Sequence, residues 1–401
     1  MGVAIETTHP YTPRESGFWR ITAALMIASL STFSTLYVFQ PLLPLLSDSY
    51  DRSATVSSFV MSSCVLAMVV GLFVLGFLSD RYGRVAVMKL SLFVTVITLG
   101  LIPLVDSFEW IVALRVIQGF FLAGIPAAAM GYLGEETSPK HIGLAMTLYI
   151  SSNALGGMGG RVGAGYLAGV FDLRLTIWVF ALFGVLAAFL FLVLIPNERF
   201  FEKTDQSIVK DLQGLFVHLR SGNMLFLFLM GFLLQAVFTA VWTYLPFYLQ
   251  GEPFRWTLEV ISFTYFAYLF GIIAPPLAGR MSLSLGMKRV MYLAVLVMLA
   301  GAGVTAVPSG SMIVFGLCLL CMGFFVAHAM ASALVSKSAT HHRSGASGFY
   351  LISYYAGVAV GSTAAGVLWE GSGWLGILSI GISFLVLFFC MWLLRRRGLS
   401  T

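Results

Sequence analysis

The chain has 401 residues, 59% of them hydrophobic and 10% charged, with a formal net charge of +6. Soluble domains carry about 25% charged residues, and buried volume grows too slowly with length to hide this much apolar surface, so a water-soluble globule is excluded. The solvent must be lipid, and the 41 glycines suit close packing of membrane helices.

A bilayer is crossed by about 20 mostly apolar residues in helical form. In chain order, twelve such runs lie at 18–46, 55–78, 86–105, 109–134, 143–169, 174–195, 223–249, 258–280, 288–306, 312–336, 345–369 and 374–394. No run alternates polar and apolar residues as a barrel strand does, which leaves helices. The polar first 17 residues have no basic region followed by a short apolar stretch, so no cleaved signal is expected. Glu6 stands where N-myristoylation needs Ser or Thr.

If both termini are cytoplasmic, inner segments hold 18 of the 23 Lys and Arg residues and outer loops only Arg52, Arg174 and Arg255. That asymmetry sets the expected orientation. It also explains the net charge without a nucleic-acid partner. The two cations left over, Arg115 and Arg161, fall inside predicted spans. The four cysteines lie in spans too. Cys318 and Cys321 form a lone C-x-x-C without a second ligand pair, so small buried side chains are expected rather than a metal site.

The chain repeats itself. Gly76 and Gly83 recur as Gly279 and Gly286, GFFLAG (119–124) recurs as GFFVAH (323–328), and 148–167 aligns with 349–368. The last match pairs Gly156, Gly160 and Gly165 with Gly357, Gly361 and Gly366. The offsets are 203, 204 and 201 residues. The expected organisation is an all-α membrane protein with two parallel six-helix halves, 1–195 and 223–401, joined by a cytoplasmic linker at 196–222. Ile208, Val209, Leu212, Leu215, Phe216 and Leu219 share one helical face of that linker, the pattern of a short helix on the membrane surface.

A tight charge cluster, GFLSDRYGRV, occupies 76–85 after the second run. Gly76, Leu78, Asp80, Arg81, Gly83 and Arg84 occupy every fixed position of G-x-L-x-D-R-x-G-R. At these residues the sequence resembles the major facilitator superfamily, and the twelve runs, half repeat and central loop extend the likeness over the whole chain. The resemblance implies a gating motif. Its glycines allow a tight turn and close helix approach, Asp80 can face a helix N-terminus, and Arg84 can pair with Glu135 or Glu136. The second copy, 279–289, has Leu283 in place of the acid, so an asymmetric latch is expected.

Two further motifs carry the resemblance. Arg115, Gln118 and Gly119 form R-x-x-Q-G, associated in the superfamily with proton coupling. Gly156, Gly160 and Ala164–Gly165 resemble the antiporter signature, although Arg161 stands where that pattern has Pro, so the glycines serve either antiport or packing alone. YISSNALGGMGGR (149–161), FFVAHAMAS (324–332) and SGFYLISYYAG (347–357) are similar to the YnfM-like, acriflavine-sensitivity group of bacterial inner-membrane transporters.

A charge at the bilayer centre costs about 2.5–3.5 kcal/mol on insertion scales. Arg115 and Arg161 therefore need an anion, carbonyl groups or a route to water. No Asp or Glu lies deep within a predicted span. The remaining proton-carrier candidates are Glu135, Glu136 and His328, whose imidazole titrates near neutral pH; His328 is equally suited to a structural hydrogen bond. Superfamily cavities are lined mainly by spans one, four, seven and ten. The candidate cavity residues are Tyr37, Gln40, Asn153, Arg161, Gln235, Trp242, Tyr244 and Tyr354, an aromatic, weakly polar set suited to a flat ligand.

The resemblance implies a monomeric, multi-pass bacterial inner-membrane protein that exports small organic compounds against protons by alternating access, with no cofactor or metal. A carrier of anionic metabolites using Arg115 and Arg161 is the alternative. No HExxH, GxSxG or P-loop is present to suggest an enzyme.

Overall fold

The computed structural model describes residues 9–203, 219, 221–338 and 343–398. Twelve long helices follow one another: α1 Ser16–Tyr37, α2 Ala54–Tyr82, α3 Arg84–Leu104, α4 Phe108–Glu136, α5 Ile142–Val170, α6 Leu173–Leu194, α7 Gly222–Gln250, α8 Leu258–Leu285, α9 Met287–Val304, α10 Gly310–Ser338, α11 (343–372) and α12 (374–398). Among the described residues the only extended pairing is an isolated parallel bridge between Tyr11 and Thr137.

Nine continuous helices are long and apolar enough to cross a membrane; one, Gly348–Phe384, runs through the bend at Gly373 that separates α11 from α12. The helices α1 and α5 also have crossing length, 22 and 29 residues. Their composition is more polar, but in α1 the side chains of Thr22, Ser29, Ser31, Thr32, Ser34 and Thr35 are buried in the protein and meet no lipid. The apolar side chains of α6 do the reverse: Leu182, Phe189 and Val193 are more than half exposed, as lipid-facing residues are.

The first helix stops earlier than the apolar run 18–46 suggests. It ends at Tyr37, and a short helix Leu43–Tyr50 follows, with Pro44 in its first turn. Pro41 and Pro44 supply no backbone N–H and disfavour helical backbone in the residue before them. Linker residues 204–218, where the surface helix is expected, lie outside the described residues.

By contacts the chain forms two compact units. One contains the chain through Phe39, Ser63–Ala164 and the segment from Phe171 into the linker. Its core joins Phe18, Ile21 and Leu25 of α1 to Met88 and Leu92 of α3, Ala128 and Tyr132 of α4, Tyr149 of α5 and Phe191 of α6. The other contains the rest of the chain together with Gln40–Ser62 and Gly165–Val170. Within it, Gln40 donates to Thr243, and Ser58 and Ser62 are linked through the Thr363 hydroxyl. Thr363 sits in a π-turn, Val360–Ala364, a geometry that appears often at functional sites.

Both units use glycine to seat one helix on another. A Cβ at Gly156 would fall 2.5 Å from the Leu30 carbonyl oxygen, and one at Gly160 would fall 2.6 Å from that of Ser34, so α5 lies directly on the α1 backbone. In return Ser34 Oγ donates to the Gly156 carbonyl at 2.9 Å. In the other unit Gly357 and Gly361 of α11 face the Phe232 and Ala236 carbonyls of α7 in the same way. Packing without intervening side chains replaces the hydrophobic drive that lipid cannot supply. Gly160→Val should cost about 1–3 kcal/mol through overpacking, read as a lowered melting temperature of the purified protein in detergent, whereas Gly159→Ala, whose Cβ would meet open space, should leave it unchanged.

Candidate functional site

The charge cluster forms between α2 and α3. Gly83 is the N-cap of α3 with φ +103°, a backbone angle that L side chains rarely adopt, and it turns the chain sharply. Its counterpart Gly286 caps α9 with φ +83°. Gly76, expected to admit a close helix, has no atom within 4 Å of where its Cβ would lie. It therefore contributes no steric relief inside α2.

Arg84, the first residue of α3, points across to the end of α4. Its Nε lies 2.9 Å from both carboxylate oxygens of Glu135, and its Nη2 is 2.7 Å from Oε1. Nη1 reaches Asp80 Oδ1 at 2.8 Å. Asp80 therefore pairs across one helical turn with Arg84, and the guanidinium fork holds two carboxylates at once, the arrangement its planar donors favour. Arg81 lies half-buried in the last turn of α2, where a cation complements the helix dipole.

The next residue, Glu136, belongs to a different network. It is completely buried and accepts from Arg199 Nε at 2.9 Å and from the backbone N–H groups of Arg199 and Phe200. The Arg199 guanidinium lies 3.5 Å from the centre of the Tyr11 ring. Tyr11 N–H donates to the Glu136 carbonyl at 2.8 Å, and Ser138 N–H to the Tyr11 carbonyl at 3.0 Å. Glu198, one residue before Arg199, accepts from Val85 N–H at the start of α3. The N-terminal segment and the segment after α6 are thus fastened to the end of the bundle that carries the charge cluster. Sequence reasoning missed Tyr11, Glu198 and Arg199. The available signal was the polar PNERF stretch directly after the sixth apolar run.

The two arginines within spans are both accounted for. Arg115 has no exposed surface; it donates to the Thr35 carbonyl at 3.1 Å, the Leu36 carbonyl at 2.9 Å and Gln118 Oε1 at 2.5 Å, and lies over the Phe39 ring. Thr35 and Leu36 are in the last turn of α1, whose carbonyls have no partner within the helix, and a cation is favoured at that negative end. Gln118 then donates to the Thr95 carbonyl of α3 at 3.2 Å. The R-x-x-Q-G residues staple α4 to α1 and α3. Arg161, 4% exposed, donates to Gly157 O at 2.7 Å one turn back on α5 and lies 3.7 Å from the centre of the Tyr37 ring. One turn further along α1 and α5, Asn153 accepts from Ser29.

In the second unit an aromatic cluster surrounds His328. Its Nδ1 is 2.9 Å from the Tyr350 hydroxyl. Its ring centre lies 4.6 Å from that of Tyr354 and 6.1 Å from that of Phe324, which stacks on Phe238 of α7 at 3.8 Å. On the same α7 stripe, Gln235 donates to Thr239 at 3.1 Å and Trp242 stacks on Tyr265 at 4.8 Å. The Gln235 carbonyl oxygen and Trp242 indole N–H are buried without a hydrogen-bond partner, which marks them for water or ligand. Tyr244 lies apart from this stripe and donates to the Ser362 carbonyl in the π-turn at 2.8 Å. The structure therefore brings Tyr37, Asn153 and Arg161 together in one unit and Gln235, Trp242, His328 and Tyr354 in the other, with Gln40 and Tyr244 elsewhere in the second.

Buried cations satisfied by carbonyls, glycine-seated helices and a latch of three charged side chains define a polytopic membrane transporter. A family model described as Major Facilitator Superfamily matches residues 25–340, and the chain belongs to that family. It is 34% identical to "Inner membrane transport protein YnfM" of Escherichia coli over 90% of this chain and 86% of that protein. It is 32% identical to "Uncharacterized MFS-type transporter YybF" of Bacillus subtilis over 94% of this chain and 93% of that one. Its fold is similar to the crystal structure of the nucleoside transporter NupG, with a TM-score of 0.74 over 92% of this chain and 99% of that chain at 18% identity. Twelve helices in this family fold are thus what the sequence resemblance implies.

Because Glu136 is fully buried, Arg199→Ala leaves an uncompensated charge and should destabilise the protein by about 3–5 kcal/mol, read as a lower melting temperature in detergent. Arg199→Ala combined with Glu136→Gln should recover part of that loss.

Proposed function

We propose that this transporter exports small organic compounds in exchange for protons, as a monomer in the bacterial inner membrane with both termini in the cytoplasm. The six-helix halves 1–195 and 223–401 are the bodies that alternate, and the Asp80–Arg84–Glu135 latch holds one of the states. The observation that carries the coupling assignment is the His328–Tyr350 hydrogen bond of 2.9 Å within the aromatic cluster. Glu135 and Glu136 are both engaged by arginines, whereas His328 is half-buried and presents a titratable ring to the polar stripe of the second unit. Tyr350 fixes the ring through one nitrogen, which leaves the other for the transported proton. The surrounding aromatic walls suit a flat, weakly polar compound. The printed name of the Escherichia coli relative supports the inner-membrane placement.

A second reading follows from Arg161. Its buried guanidinium, held over Tyr37, is suited to an anionic metabolite. Proteoliposomes loaded with a pH-sensitive dye separate the two readings. With a panel of neutral, cationic and anionic compounds, proton exporters of the first kind show proton flux with neutral or cationic compounds, and His328→Ala abolishes it. Flux that anions alone drive, and that Arg161→Ala removes while His328→Ala leaves intact, would replace the first reading with the second.

A further inference from the structure

The second unit has a cleft at the end of the bundle where its cations gather. Phe226 and Leu227 of α7, Met291 of α9 and Leu334 of α10 form its buried apolar floor, and exposed Lys288 stands on its rim with Tyr292. About 340 Å³ within it is free of protein atoms, at the small end of ligand-binding pockets. Lys288 belongs to a set with Arg280, Arg289 and Lys337, all exposed, and among the described residues none of the four makes an ion pair.

The sequence explains why. No Asp or Glu occurs between Glu259 and Glu370. The loop that repeats the charge cluster keeps its cations and its turn glycine but has Leu283 where the first copy has Asp80. In the first unit the equivalent charge, Arg84, is held by two carboxylates. In the second the positive charge has no such protein partner. Leu283 is 89% exposed and Met281 50% exposed, an arrangement that costs free energy in water but not in the headgroup layer of a membrane. Positive charge above an apolar floor, beside side chains that dip into lipid, complements one ligand chemistry: a phosphate diester attached to acyl chains.

We propose that this cleft binds an anionic glycerophospholipid of the adjacent leaflet, with its phosphate at Lys288 and Arg289 and the start of an acyl chain over Phe226, Leu227, Met291 and Leu334. The lipid supplies the counter-charge that Asp80 and Glu135 supply in the other unit. The inference depends on which end of the helices carries the cations and is independent of the direction or coupling of transport.

The test uses the full-length protein in nanodiscs that mix phosphatidylcholine with a minor fraction of phosphatidylglycerol. Native mass spectrometry counts the lipids that stay bound after release. Retained lipid should be enriched in phosphatidylglycerol, and each cation removed from the cleft should lower that retention about five-fold. The Lys288→Gln/Arg289→Gln variant should therefore lose it, while Lys140→Gln/Lys203→Gln, with the same charge removed from the other unit, should keep it. Phosphatidylglycerol should also raise the melting temperature of the wild type and not that of the cleft variant, which shows that the variant is folded and has lost only the lipid. Equal retention in wild type and cleft variant, an equal loss in both double variants, or no preference over phosphatidylcholine would overturn the proposal. Displacement of the bound lipid by inorganic phosphate would overturn it in favour of a site for soluble anions.

Discussion

A bilayer offers no hydrogen-bond partners, so each polar group within a span must find one inside the protein. Arg115 shows how strongly this constraint shapes the molecule. The first helix ends at Tyr37, and the carbonyls of its last turn are left open. The buried guanidinium takes two of them and passes through Gln118 to a third carbonyl on α3. A helix end and a buried charge, each costly alone, satisfy one another. The serines and threonines of α1 turn inward for the same reason, so a helix that is modestly apolar by composition is still dry at its lipid face.

The second consequence is that helix seating depends on backbone contact. Gly156 and Gly160 lay α5 on α1, and Gly357 and Gly361 lay α11 on α7. The repeat survives most faithfully in these contacts and in the positive-φ turns at Gly83 and Gly286. Side-chain chemistry has diverged around the shared backbone. One copy builds a compact ion-pair network with acids from two helices, and the other carries bare cations beside exposed apolar residues. Equal scaffolds therefore present unequal electrostatics at the same end of the bundle, one closed on itself and one open to an outside anion.

Position in the chain decides which acids become available for proton chemistry. Glu135 and Glu136 are adjacent, yet helical geometry sends them about 100° apart around α4. One meets Arg84 and the other meets Arg199 and two backbone amides. His328 has no arginine to answer to. Its partners are a tyrosine hydroxyl and aromatic faces, which orient the ring without fixing its charge.

Apolar run length, the asymmetry of Lys and Arg, and the half repeat were enough to define a twelve-helix membrane fold, because lipid imposes length and burial rules that act locally along the chain. The complete motif at 76–84 likewise marked the latch, and the pairing of Arg84 with an acid at the end of α4 was legible from their common side of the membrane. Three-dimensional packing alone decided the rest. It chose Glu135 over Glu136 for Arg84, brought Tyr11 and Arg199 onto Glu136 across 188 positions of sequence, joined His328 to Tyr350, and left Gly76 with nothing to accommodate. Those outcomes depend on which helix faces meet, and a one-dimensional pattern carries the period of a face but not the identity of its neighbour.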